Sequence, residues 1–194
     1  MKNDILTILR AKSTVLSFKE ICIAVGEKNP NLLKRRLNYY VQKGVLLVIR
    51  RGLYVKDTNY DRFEAATKIF TPSYISFETV LLQAGVIFQY YAAITVATYQ
   101  TKEIECDRQS YSFRKIKDTI LTNHEGLENK GTYFVATKER AFLDLLYLHR
   151  EYHFDNLAPL DIQQIHSLLP IYNNKRMEKC VQNYFQRIKS REKS

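Results

Sequence analysis

At 194 residues the chain is one large domain or two small ones, and an apolar fraction of 45% is enough to bury a core. The formal charge of +10, from 30 Lys plus Arg against 20 Asp plus Glu, suits a polyanionic partner. Three scattered cysteines, Cys22, Cys106 and Cys180, exclude a disulfide framework and close metal-ligand spacing, and no apolar run approaches the roughly 20 residues that cross a bilayer.

The odd, sparse set of cysteines predicts a reducing cytoplasm, and Met1–Lys12, which alternates in charge without a long apolar core, predicts no signal peptide. Asn3 to Arg10 reads as a first helix with Ile5, Leu6, Ile8 and Leu9 on a broad apolar face, broken by Lys12-Ser13-Thr14. Ser17-Phe18-Lys19-Glu20 is a capping-box pattern. It predicts a second helix from Phe18 to about Val25, with Ile21, Ala24 and Val25 inward and Gly26 as the exit. Asn29 and Pro30 suit the cap and first position of a third helix, Pro30 to Lys43.

On that third helix Leu33, Leu37, Tyr40 and Val41 share one arc. Asn31, Arg35, Asn38, Tyr39 and Gln42 point the opposite way, with Lys34 and Arg36 on the flanks. Leu32 also points outward, where contact with a thymine methyl would explain it. Gly44 ends the helix, and Val45–Ile49 and Leu53–Lys56 read as strands joined at Arg50-Arg51-Gly52. Residues 1–56 hold 12 basic and 3 acidic side chains, a net of +9. Three short helices, a hairpin and this charge predict a winged helix-turn-helix on double-stranded DNA. Arg can pair with guanine and Asn or Gln with adenine, so Asn31, Arg35 and Asn38 are the expected base readers, beside Tyr39 and Gln42. Lys34, Arg36, Arg50 and Arg51 are expected at phosphates.

Asp57-Thr58-Asn59-Tyr60 is a polar hinge, which divides the chain into domains at 1–56 and 61–194. Asp61 to Phe70 is the next predicted helix, with Phe63, Ala66, Ile69 and Phe70 inward, and Ser76 to Ala84 another. Ala92–Tyr99, Tyr111–Ile116 and Tyr133–Ala136 read as strands, and Asp118 to Lys130 as polar loop. Thr137 caps a helix through Arg150 that is apolar over more than half its circumference; within it Asp144 is either a buried, paired carboxylate or the exposed stripe. Asp161 to Leu169 is a short helix. The last, from about Asn174 to Lys189, carries a seam of Met177, Cys180, Val181, Tyr184, Phe185 and Ile188, ahead of a frayed basic end at 190–194. Residues 57–170 have a net charge of −4 (11 basic, 15 acidic) and 171–194 a net of +5 (7 basic, 2 acidic), so the tail is an auxiliary candidate for nucleic acid.

Catalytic patterns are weak. His149 and His153 stand at i and i+4, but Glu151 is at neither metalloprotease position and no third ligand is readable, so no metal or cofactor is expected. Glu103, Glu105 and Asp107 alternate on one side of a strand, with Lys115 and Lys117 about ten positions on. A solvated strand edge accounts for them better than a metal-dependent nuclease. No nucleophile triad and no Gly-rich phosphate loop is present, and the chain is not expected to be an enzyme.

Five stretches carry a family resemblance: Arg51-Gly52-Leu53-Tyr54-Val55, Tyr74–Leu81 (YISFETVL), Ile94–Thr98 (ITVAT), Tyr111–Ile116 (YSFRKI) and Val135–Leu148 (VATKERAFLDLLYL). Together, over roughly residues 1–150 and in this order, the chain resembles the AbiEi family of antitoxin-type transcriptional regulators. Lys138 stands where the family's helix opens on proline, and Leu82-Gln83-Ala84-Gly85 lacks its aromatic or His before Gly. The resemblance implies an α+β protein, a winged helix-turn-helix followed by a mixed α/β antitoxin domain with C-terminal helices. It implies a prokaryotic, cytoplasmic repressor of its own operon and an antitoxin of a toxin–antitoxin or phage-defence (abortive-infection) operon. Its opponent would be a nucleotidyltransferase-like toxin, engaged directly or indirectly. The alternatives are a nuclease with a DNA-binding head, or a non-catalytic interaction module docking through the last helix.

Overall fold

Val15, Leu16, Leu53, Tyr54 and Val55 are apolar, and four of them are β-branched or aromatic or pair with such residues; all five are buried. They form the interior of a small antiparallel sheet. In the computed structural model, which describes residues 4–149 and 151–191 with side chains up to residue 185, the sheet has the order β1-β3-β2. Its strands are β1 (Val15–Ser17), β2 (Leu47–Arg50) and β3 (Leu53–Val55). The helices beside it are α1 (Asp4–Arg10), α2 (Phe18–Val25) and α3 (Pro30–Gln42). The Ser17 hydroxyl accepts from the Glu20 amide at 3.2 Å, and Glu20 Oε2 accepts from the Ser17 amide at 2.7 Å. This reciprocal pair starts α2 where the sequence places it. The Asn29 side chain accepts from the amides of Asn31 and Leu32 and starts α3. Ile8, Leu16, Ile21, Leu33, Leu37, Leu46 and Tyr54 are the core of this part, with Tyr40 and Val41 packed against it.

Two details differ from the sequence expectation. The segment after α1 contains a strand, β1, too short to show a period. The hairpin register shifts between Val48 and Arg50, so Arg50 closes a strand and the tip is Arg51-Gly52. Gly52 sits at φ +83°, a conformation that a side chain would strain.

The second sheet has six strands in the order β6-β7-β5-β4-β9-β8. They are β4 (Ser73–Ile75), β5 (Ile94–Thr98), β6 (Lys102–Cys106), β7 (Gln109–Lys115), β8 (Leu127–Asn129) and β9 (Phe134–Ala136). β5 runs parallel to β7 and β4 to β9, and the other pairs are antiparallel. The helices are α4 (Arg62–Ile69), α5 (Glu78–Gln83), α6 (Asp118–Leu121), α7 (Lys138–Leu148), α8 (Ile162–Leu168) and α9 (Lys175–Arg191), with a 3-10 turn at Leu169–Tyr172. The architecture is mixed α+β.

The stretch read as loop, Asp118 to Lys130, contains α6 and β8, and Ile120 and Leu121 anchor it in the core. α7 ends at Leu148 with His149 as its cap, so His149 and His153 share no helix face; the His153 side chain is exposed, 3.6 Å from Asp155. The seam of α9 lies on its own chain: Met177, Val181 and Phe185 are buried in the main core. The expected positions at Asn3, Arg150 and 192–194 lie outside the described residues, as does the side chain of Ile188, while Ser190 and Arg191 belong to α9. Among the described residues no helix is long and apolar enough to cross a membrane.

The 57–60 hinge is bridged by direct bonds. Glu64 on α4 accepts from the Thr14 amide (2.8 Å), the Thr14 hydroxyl (2.6 Å) and the Val15 amide (3.2 Å). Lys68 donates to the Val15 carbonyl at 2.5 Å and reaches Glu20 at 2.9 Å and Glu64 at 3.1 Å. The Cys106 thiol, at the end of β6, donates to the Ile49 carbonyl at 3.0 Å.

Candidate nucleic-acid interface

α3 divides cleanly by burial. Leu33 and Leu37 are fully buried, whereas Asn31, Lys34, Arg35, Asn38, Tyr39 and Gln42 are exposed. Among the described residues the side chains of Asn31, Arg35, Asn38 and Gln42 take part in no hydrogen bond or ion pair. Lys34 lies over the Phe18 ring at 5.6 Å, and Tyr39 packs edge-on against Tyr40 with Lys43 at 5.9 Å from its ring. Leu32 is 45% exposed, an apolar side chain on an otherwise polar face. At the hairpin Arg50 is half-buried and Arg51 exposed.

Arg36 is set apart from its neighbours. It is half-buried and pairs with Asp4 on α1 at 2.6 Å and with Glu27 in the α2–α3 turn. The backbone amide of Asn29, together with Arg36, outweighs desolvation and holds the Glu27 carboxyl below the ordinary glutamate range. Arg36 therefore ties three segments together, a role different from the phosphate contact expected for it. Only the fold reveals this, because its acids lie 32 and 9 positions away in sequence.

The remaining acid candidates are separated. Glu103 and Glu105 are exposed on β6, an edge strand, while Ile104 and Cys106 turn inward. Asp107 lies beyond the strand at φ +48° and accepts from Tyr60 at 2.8 Å and Arg62 at 2.9 Å.

Asp144 is buried and paired. Its carboxylate accepts from the hydroxyls of Tyr74 (3.0 Å), Ser76 (2.7 Å) and Tyr172 (2.7 Å) and from Arg140 Nε (3.2 Å). Arg140, with no exposed surface, also donates to Tyr74 and to the carbonyls of Ile120 (2.7 Å) and Glu125 (2.6 Å). Burial works against the Arg140 charge, but Asp144 and the tyrosines hold its pKa above the ordinary value. Burial and the Asp144 charge push both Tyr74 and Tyr172 well up, so both are neutral donors. Nearby, Thr79 and Thr95 bond each other's amides at 3.0 and 2.8 Å. Three of the stretches singled out in the sequence thus meet here, supplying Tyr74, Ser76, Thr79, Thr95, Arg140 and Asp144.

Comparison with protein-family models and with curated proteins returns no match for this chain. Sequence reading missed Arg140; the available signal was an Arg and an Asp at i and i+4 inside an apolar helix. Among the described residues no group of three or more His, Cys, Asp or Glu is placed to hold a metal ion.

Proposed function

We propose that residues 1–56 are a winged helix-turn-helix that binds double-stranded operator DNA, with α3 in the major groove and the β2–β3 hairpin on the adjacent backbone. The observation that carries this reading is the exposed face of α3. Six of the residues named from the sequence, Asn31, Lys34, Arg35, Asn38, Tyr39 and Gln42, stand exposed on one helix, in a segment with a net charge of +9. A helix fits the major groove, and amide and guanidinium groups read base edges there. The reading keeps Asn31, Arg35 and Asn38 as base readers and Lys34, Arg50 and Arg51 at phosphates, and gives Arg36 to the fold.

On the sequence resemblance, the protein is a repressor of its own operon and an AbiEi-like antitoxin, with residues 61–194 as the antitoxin domain opposing a nucleotidyltransferase-like toxin. The joint burial of Tyr74, Ser76, Arg140 and Asp144 supports that division by giving the resembling stretches one shared structural purpose.

An electrophoretic shift on the DNA upstream of the gene, with random competitor, tests the first half. Affinity is expected to fall steeply with salt. Arg35→Ala should cost about 1–3 kcal/mol at the preferred site and relax base preference. Arg51→Ala should weaken all sequences alike and lower the salt slope by about 1. Equal affinity for operator and random DNA sinks the operator reading. Rescue of cells from the neighbouring gene's product by residues 61–194 tests the second half.

A further inference from the structure

The β6–β7 connection is a two-residue turn, since Cys106 pairs with Gln109 and only Asp107 and Arg108 lie between them. Both are left-handed, at φ +48° and φ +61°. Such turns are usually built from Asn or Asp followed by Gly, because most side chains strain this backbone. Asp107 suits its place. Arg108 stands where glycine would be unstrained, and it is exposed and, among the described residues, in no hydrogen bond or ion pair. Strain kept at a side chain that the fold does not use points to a function for that side chain. The turn is also fastened beside the β2–β3 hairpin. The Cys106 thiol donates to the carbonyl of Ile49 at 3.0 Å, one residue before Arg50 and two before Arg51. Burial pushes the Cys106 thiol up and the Arg50 charge opposes it, so Arg50 lies near the same thiol.

We propose that Arg108 is a contact to the DNA backbone made by the second domain, beside the one made by the β2–β3 hairpin. The inference rests on the reading of residues 1–56 as binding double-stranded DNA. Arg108 is two residues, at most about 7 Å, from Cys106, which places it at the same end of the hairpin as Arg50 and Arg51. The charge of the neighbouring acid is already met: Asp107 accepts from Tyr60 at 2.8 Å and from Arg62 at 2.9 Å, and Arg62 lies over the Tyr60 ring at 4.3 Å. Glu105, the next acid along the strand, is on the opposite face of β6 from Cys106. Arg50, Arg51 and Arg108 therefore make one basic edge shared by the two sheets, and the phosphates along a duplex are its complement. Such a contact carries no base preference. It adds affinity, and it holds the DNA from both sides of the 57–60 hinge.

Fluorescence anisotropy of the full chain across a salt series, on a duplex of the upstream sequence and on one of scrambled sequence, tests the contact. Arg108→Asn removes the charge and suits the left-handed turn, so urea unfolding should show a stability equal to or above that of the unaltered chain. On both duplexes it should lower the magnitude of the salt slope by about 1, with the preference between them unchanged. Arg108→Gly, which also fits φ +61°, should do the same and stands in should Arg108→Asn fail to fold. Lys102→Ala removes an exposed cation at the other end of β6 and should leave the slope as it is. A slope unchanged in the folded Arg108 variants, or lowered as much by Lys102→Ala, overturns the Arg108 contact and leaves the DNA-binding reading standing. No binding of the unaltered chain to either duplex overturns both.

Discussion

Asp144 and Arg36 illustrate how far a single residue can be read. The sequence leaves Asp144 open between buried pair and exposed stripe, since an acid at one position of an apolar helix satisfies either. The structure decides it with partners on β4, in the Ile75–α5 turn and in the 3-10 turn, 70, 68 and 28 positions away. Removing one member of a buried ion pair leaves the other uncompensated. Asp144→Asn is therefore expected to cost about 3–5 kcal/mol in urea unfolding. A loss below 1 kcal/mol, on the order of a surface pair, would show that Arg140 finds other compensation. For Arg36, the helical period correctly puts it on a flank of α3, but no local rule says that Asp4 and Glu27 wait there. Arg35, one position earlier, turns to solvent, and that one-residue step separates a candidate reader of bases from a tie within the fold.

At the scale of elements, legibility follows length and caps. α2 starts and ends where the sequence places it, because the Ser17–Glu20 box and Gly26 are local signals. α3 begins at Pro30 for the same reason. Replacing the Asn29 cap by Ala should lower stability by about 1 kcal/mol in thermal or chemical unfolding. Because the first turn of α3 holds Asn31, the same change should weaken operator binding while leaving the 61–194 core intact by near-ultraviolet circular dichroism. Unchanged unfolding would mean that packing of Leu33 and Leu37 alone sets the start of the helix. Strands of three residues, β1, β4, β8 and β9, carry too few positions for a period of two to emerge. β9 is readable through its Phe-Val pair and the strong Thr137 cap that follows. α6 and β8 hide within a polar stretch because only Ile120, Leu121 and Leu127 turn inward.

Across the whole molecule, the polar hinge at 57–60 looks in sequence like a free joint, yet α4 is bonded to β1 through Glu64 and Lys68. Burial of Glu64 pushes its carboxyl up, but the bonds from Thr14 and Lys68 prevail and hold it below the ordinary glutamate value. A group whose folded pKa is lowered stabilises the fold fully above its unfolded value and ceases to do so as pH falls through the folded one. The stabilisation from Glu64 is thus complete above about pH 4.3 and lost in acid below it. Glu64→Gln should cost about 1–3 kcal/mol at pH 7, and its unfolding free energy should fall less than that of the unaltered chain as pH drops from about 5 to about 2. Parallel acid profiles would show that Glu64 is not the responsible carboxylate.

The sequence by itself determined the charge asymmetry, the caps, the long helices and the outward face of α3, because each rests on neighbours within a turn or two of chain. Tertiary structure alone decided which charges are spent inside the fold. Arg36, Glu64, Arg140 and Asp144 read as ordinary ionic residues until segments far apart in sequence close around them. Burial then makes each depend on partners that no local pattern names. Glu78 is the remaining case: the fold buries it and supplies Arg114 for one oxygen, while the other has no donor among the described residues.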